Sequence, residues 1–88
     1  MDAQPLGNDW NCRVVVDSRG ERTEHSVTVS EDDLQRWGRG TAQEDVEDLV
    51  RRSFDFLLER EPPSSILRTF DLSVIQRYFP EYGGIMNR

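Results

Sequence analysis

A chain of 88 residues makes one small domain, and its net charge of −6, with 17 carboxylates against 11 cationic side chains, disfavours a phosphate backbone as the partner of a monomer. All eleven cations are arginine, and they are scattered along the chain. The lone Cys12 excludes an internal disulfide and a cysteine-based zinc site and fits a reducing compartment; with a polar start and no apolar run near the ~20 residues that span a bilayer, the expectation is a cytoplasmic protein with no membrane partner and no cofactor.

Residues 1 to 9 carry Pro5, Gly7 and Asn8 without apolar rhythm and read as a flexible lead-in. From Trp10 the pattern has period two. Trp10, Cys12, Val14 and Val16 alternate with polar neighbours, and Thr23, His25, Val27 and Val29 do the same after a turn centred on Arg19 and Gly20. Pairing the strands across that turn sets Val16 against Thr23, Val14 against His25, Cys12 against Val27 and Trp10 against Val29. All eight then share one face, and a one-residue slip would invert them. A two-stranded hairpin is not stable alone, so this face needs a cover.

Ser30 followed by Glu31, Asp32 and Asp33 predicts a helix start, with a short helix over residues 31 to 37. Gly38, Arg39 and Gly40 read as a hinge, and Thr41 to Glu44 as a capping box. Then Val46, Leu49, Val50, Ser53, Phe54, Leu57 and Leu58 recur at helical spacing, an amphipathic helix of about five turns. Its other face offers Glu47 with Arg51 and Asp48 with Arg52 at i,i+4, while Phe56 falls off the stripe as a rim residue or a contact. Pro62 ends the helix, and Ser64 or Ser65 caps a single turn. Asp71 starts a last helix from Leu72 to Phe79, with Leu72, Ile75 and Phe79 on one stripe and Val74 and Tyr78 on another. Residues 83 to 88 read as a flexible tail, leaving residues 10 to 82 as the domain.

Chemistry-bearing groups are sparse. His25 is the only histidine and lies diagonally near Cys12 on the hairpin face, the one place for a Cys–His pair. No His-x-x-x-His or EF-hand spacing occurs, and the acidic clusters sit where helix N-termini want them. The aromatics are concentrated late, with Phe70, Tyr78, Phe79 and Tyr82 close together. One helix stripe can close the core while Val74, Tyr78 and Tyr82 remain for a partner.

Residues 44 to 82, EDVEDLVRRSFDFLLEREPPSSILRTFDLSVIQRYFPEY, resemble small bacterial proteins of unassigned function that end in a similar Ile-Leu, Phe-Asp-Leu, Tyr-Phe-Pro-Glu-Tyr segment. That resemblance implies a bacterial protein and no particular activity. A strand pair followed by GTAQEDVEDLVRRSFDFLLEREPP, residues 40 to 63, resembles the partial RNase-H-like half of HicB-type antitoxins, in which an acidic α/β domain neutralises a small basic toxin. The chain departs from that pattern in showing two clear strands where the family has three or more, so no functional residue is carried across.

The fold expected is α+β: an N-terminal antiparallel β-hairpin covered by one long amphipathic helix, flanked by short helices. The function expected is a non-enzymatic acidic interaction or regulatory module that binds another, basic protein or itself through Val74, Tyr78, Tyr82, Glu47 and Asp48. An antitoxin-like or inhibitor-like role is one form of it. The alternatives are a small enzyme using Cys12 and His25, and an oligomeric nucleic-acid-binding regulator that aligns the scattered arginines.

Overall fold

The computed structural model describes residues 1 to 18 and 20 to 87. Along the chain run β1 (Asp2–Leu6), β2 (Asp9–Ser18), β3 (Glu21–Val29), α1 (Glu31–Trp37), α2 (Gln43–Leu58), a 3₁₀ turn (Pro63–Ser65), β4 (Thr69–Asp71), α3 (Ser73–Tyr78) and α4 (Tyr82–Met86). The fold is α+β. Four strands form one sheet in the order β1-β2-β3-β4, antiparallel except that β4 runs parallel to β3.

The central hairpin has the register read from its alternation, with Trp10 opposite Val29, Cys12 opposite Val27, Val14 opposite His25 and Val16 opposite Thr23. Gly20 takes φ +81°, the left-handed conformation a two-residue hairpin loop requires, while its neighbour Arg19 lies outside the described residues. The hairpin is wider than two strands. Residues 2 to 6, expected to be a flexible lead-in, pair with β2 and bury Ala3 against Cys12. Gly7, at φ +64°, supplies the tight turn that brings them back. On the far side β4 pairs Phe70 with Val27.

One face of this sheet is covered and the other is wet. The wet face carries an Asn11–Ser26 hydrogen bond of 2.9 Å and an exposed Arg13–Glu24 ion pair. The covered face meets α2, which crosses the strands. Near its start Glu47 accepts the Ala3 N–H of β1 at 3.3 Å; farther on, the Phe54 ring lies 5.3 Å from His25 of β3 and 6.2 Å from Phe70 of β4.

Behind α2 lies a second apolar layer. Phe56 packs edge-on against Phe79 and Tyr82, and Trp37 edge-on against Tyr82. This layer explains why Phe56, off the sheet-facing stripe, is buried while Leu58 is exposed. It also uses the segment expected to be a free tail: residues 82 to 86 form α4 and Met86 is buried. Arg88 lies outside the described residues. The core therefore extends from Ala3 to Met86, past both boundaries expected for the domain.

Helix ends follow local chemistry. Ser30 Oγ accepts the Asp33 N–H at 3.1 Å, as expected for α1. The start of α2 is displaced by one residue from the expected Thr41–Glu44 box: Ala42 precedes the helix, and Asp45 accepts its N–H at 3.0 Å. Asp71 accepts the Ser73 N–H at 3.0 Å and so opens α3 from within β4.

The expected hinge at Gly38 is a packed turn. Its N–H donates to the Leu34 carbonyl at 2.8 Å, and a Cβ there would stand 2.6 Å from that oxygen. Gly38→Ala should therefore destabilise the domain by about 1–3 kcal/mol, read as a lower urea midpoint at unchanged slope. An unaltered midpoint would show that the turn yields without cost.

Candidate functional site

The sequence-derived contact set divides in two. Tyr78 is 70% exposed on α3 and Val74 is half-buried beside it, both where a partner can reach them. Tyr82 is not. It is fully buried, and its hydroxyl lies 2.6 Å from Ser53 Oγ, which in turn lies 2.7 Å from the Leu49 carbonyl. A carbonyl only accepts, so Ser53 donates to Leu49 and Tyr82 donates to Ser53. Expecting Tyr82 at an interface failed because α4 turns back onto α2. Gln76 fixes that turn, donating to the Pro80 carbonyl and accepting the Gly83 N–H, each at 2.7 Å.

The two carboxylates expected to dock a basic partner are engaged within the fold. Glu47 holds the Ala3 N–H of β1 and forms no pair with Arg51. Arg51 reaches Asp48 instead at 3.3 Å, and Arg52 reaches Asp48 at 2.9 Å, the i,i+4 pair expected. Burial works to raise the Asp48 pKa, but the two guanidiniums prevail and hold it below the usual carboxylate value.

The Cys12–His25 pair does not assemble into a nucleophile. Cys12 is fully buried, and burial, helped by the charge of Glu47, pushes its thiol from 9.0 up to about 11. His25 spends both ring nitrogens elsewhere. Nδ1 lies 2.7 Å from the Leu67 carbonyl, which can only accept, so Nδ1 donates there, and Nε2 shares a 2.8 Å hydrogen bond with the Thr23 hydroxyl. No group of three or more metal-ligating side chains forms among the described residues, and no helix is long and apolar enough to cross a membrane.

That histidine bond has a consequence at the surface. It draws the Leu67 backbone to β3 while Leu67 as a residue stays 51% exposed. Next to it Ser26 donates to the Arg68 carbonyl at 2.7 Å, starting the β3–β4 ladder. Between this segment, the end of α2 and α3 lies a groove of about 410 Å³. Leu57, Ile66, Phe70 and Ile75, all buried core residues, form its floor. Leu67, Val74, Tyr78, Phe79 and Glu61 form its walls. Of these lining residues Val74 and Tyr78 belong to the sequence-derived contact set, and Leu67 and Glu61 do not. Their isolated positions after Pro62 and before it belong to no periodic stripe.

Three measurements check this assignment of buried and exposed groups. Ser53→Ala should cost about 1–3 kcal/mol, because the buried Tyr82 hydroxyl loses its acceptor; Tyr82→Phe should cost only about 1 kcal/mol, because Ser53 keeps Leu49. Equal losses in urea titrations would contradict the donor order. Burial, opposed by the Ser53 hydrogen bond, raises the Tyr82 hydroxyl from 10.0 to about 12. The native state thus holds this proton more tightly than the unfolded chain, so its contribution is intact below pH ~10 and fades as pH climbs through ~12. Tyr82→Phe should remove that alkaline component. Cys12 in the folded protein should resist an aromatic disulfide reagent at pH 8 and react only as fast as the domain unfolds; rapid labelling of folded protein would refute its burial.

Comparison of the chain with family models, with curated proteins and with solved structures finds no match.

Proposed function

We propose that this chain is a non-enzymatic interaction module that binds another protein through the groove between β4, α3 and the end of α2. An antitoxin-like or inhibitor-like role is one concrete form of that reading. The observation that carries it is the exposure of Tyr78 and Leu67 on the walls of an apolar groove whose floor is core. A large aromatic held in the open beside such a recess is the type of residue that anchors interfaces. The net charge of −6 favours a basic partner and a rate of association that falls with salt. The buried thiol is compatible with a reducing, cytoplasmic setting.

The contact set is accordingly Val74 and Tyr78, with Leu67 and Glu61 replacing Tyr82, Glu47 and Asp48. The enzyme alternative would need Cys12 and His25 to leave the bonds and burial that now occupy them.

Tyr78→Ala tests the reading without touching the core. Its stability should stay within about 0.5 kcal/mol of the parent, as for a surface substitution. The parent used as bait in nuclease-treated lysate should retain a stoichiometric protein that the folded variant loses. Retention of the same protein by both baits would remove Tyr78 and the groove from the account.

A further inference from the structure

The sheet has two edges, and the chain treats them differently. In a strand, the backbone groups that face one neighbour belong to every second residue. On β1 the Ala3 N–H points away from β2, since Glu47 takes it at 3.3 Å. The next outward position is Pro5, which has no N–H to offer. Neither position presents a free donor, so this edge offers an added strand acceptors only and suits it less well.

The β4 edge is open. The Arg68 carbonyl accepts from Ser26, and the Leu72 N–H donates to the Thr28 carbonyl at 2.9 Å, so residues 68, 70 and 72 face β3. Thr69 and Asp71 therefore face outward. Among the described residues nothing hydrogen-bonds to the backbone N–H or C=O of either. Two donors and two acceptors stand in strand spacing, and Phe70 between them points to the helix side, where it is part of the groove floor. A strand laid along this edge would send every second side chain toward that groove. Glu61 is the carboxylate on the groove wall, and the whole chain is acidic.

We propose that β4 and the groove together receive an extended segment of a partner protein, which joins the sheet as a fifth strand. Its outward amides pair with Thr69 and Asp71. Its alternate apolar side chains enter the groove past Tyr78, and an Arg or Lys meets Glu61. The proposal rests on the interaction-module reading and specifies the shape and chemistry of what is bound.

The test uses the intact protein and an array of synthetic decapeptides with alternating valine and threonine, each made with arginine, with glutamate and in scrambled order. Backbone NMR maps the site, and amide exchange reads Thr69 and Asp71 directly. The alternating arginine peptides should bind best and slow exchange at both amides. N-methylation of the peptide on its β4-facing amides should weaken binding roughly three- to tenfold, the worth of a backbone hydrogen bond. Thr69→Pro should do the same, because it deletes a donor that β3 does not use. The N-methylated peptide keeps the test decisive even if that variant folds poorly. Glu61→Gln should erase the preference for arginine over glutamate. Binding that perturbs Leu67 and Tyr78 but ignores N-methylation would overturn strand addition and leave the interaction module standing. No binding above the scrambled controls would also overturn it, with the module then judged by the Tyr78→Ala bait. A concentration-dependent dimer broken by Thr69→Pro would overturn it in favour of a second copy as occupant.

Discussion

The bond from the Tyr82 hydroxyl through Ser53 to the Leu49 carbonyl joins the last helical turn to the longest helix at a fully buried point. Both hydroxyls are fully buried, so each needs its partner, and a half-made version would cost more than an apolar substitute. The consequences run backward along the chain. With Tyr82 held, Gln76 closes the turn at Pro80, α3 is seated with Ile75 inward, and β4 is delivered beside β3. The groove exists only because those elements are in place. An exposed groove is therefore built on a fully buried contact.

α2 carries the opposite obligation. It must satisfy the sheet with Val46, Val50 and Phe54 and the rear layer with Ser53 and Phe56, so its buried surface is wider than a single stripe. Arg52 works between those layers. Besides Asp48 it reaches the Trp37 carbonyl and the Met86 carbonyl, each at 3.5 Å, the open ends of α1 and α4. A guanidinium with several donors can do this where an ammonium would serve fewer directions. Arg60 similarly lies 3.7 Å above the Phe56 ring while donating to the Phe56 carbonyl at 3.0 Å. Such roles give some arginines of this lysine-free chain a structural use.

What could be read from the residues follows from how local each signal is. The hairpin register was legible because alternation and a glycine turn act over neighbouring residues. Helix α1 was legible because Ser30 and its acidic first turn are contiguous. Strand β1 escaped because Ala3 and Pro5 are poor strand formers; the Gly7–Asn8 pair, a recognised two-residue hairpin loop, was the signal that could have found it. Strand β4 has three residues and no periodicity, and only its partner β3 defines it. Tyr82 was misjudged for the same reason. Pro80 and two glycines at 83 and 84 suggest release, yet a glutamine six positions before Tyr82 turns the chain back. At the candidate site, Val74 and Tyr78 followed from helical spacing, whereas Leu67 and Glu61 are united by tertiary folding alone.

Charge and shape then have separate tasks. Many carboxylates close to α2 and α3 are spent on the fold: Glu47 on β1, Asp45 on the α2 start, Asp71 on the α3 start and Asp48 on two arginines. A carboxylate already paired has little left to give a partner at short range. The excess negative charge still acts at a distance, within a Debye length of about 8 Å at physiological salt, and raises the encounter rate with basic partners. It does not by itself distinguish one basic protein from another. On the proposed reading that discrimination comes from what is fixed in position: the groove floor, Tyr78, Glu61 and the outward groups of Thr69 and Asp71. On this division, salt should alter how fast a partner arrives more than which partner stays, since the apolar floor and the strand edge respond little to screening and only the Glu61 contact weakens with salt.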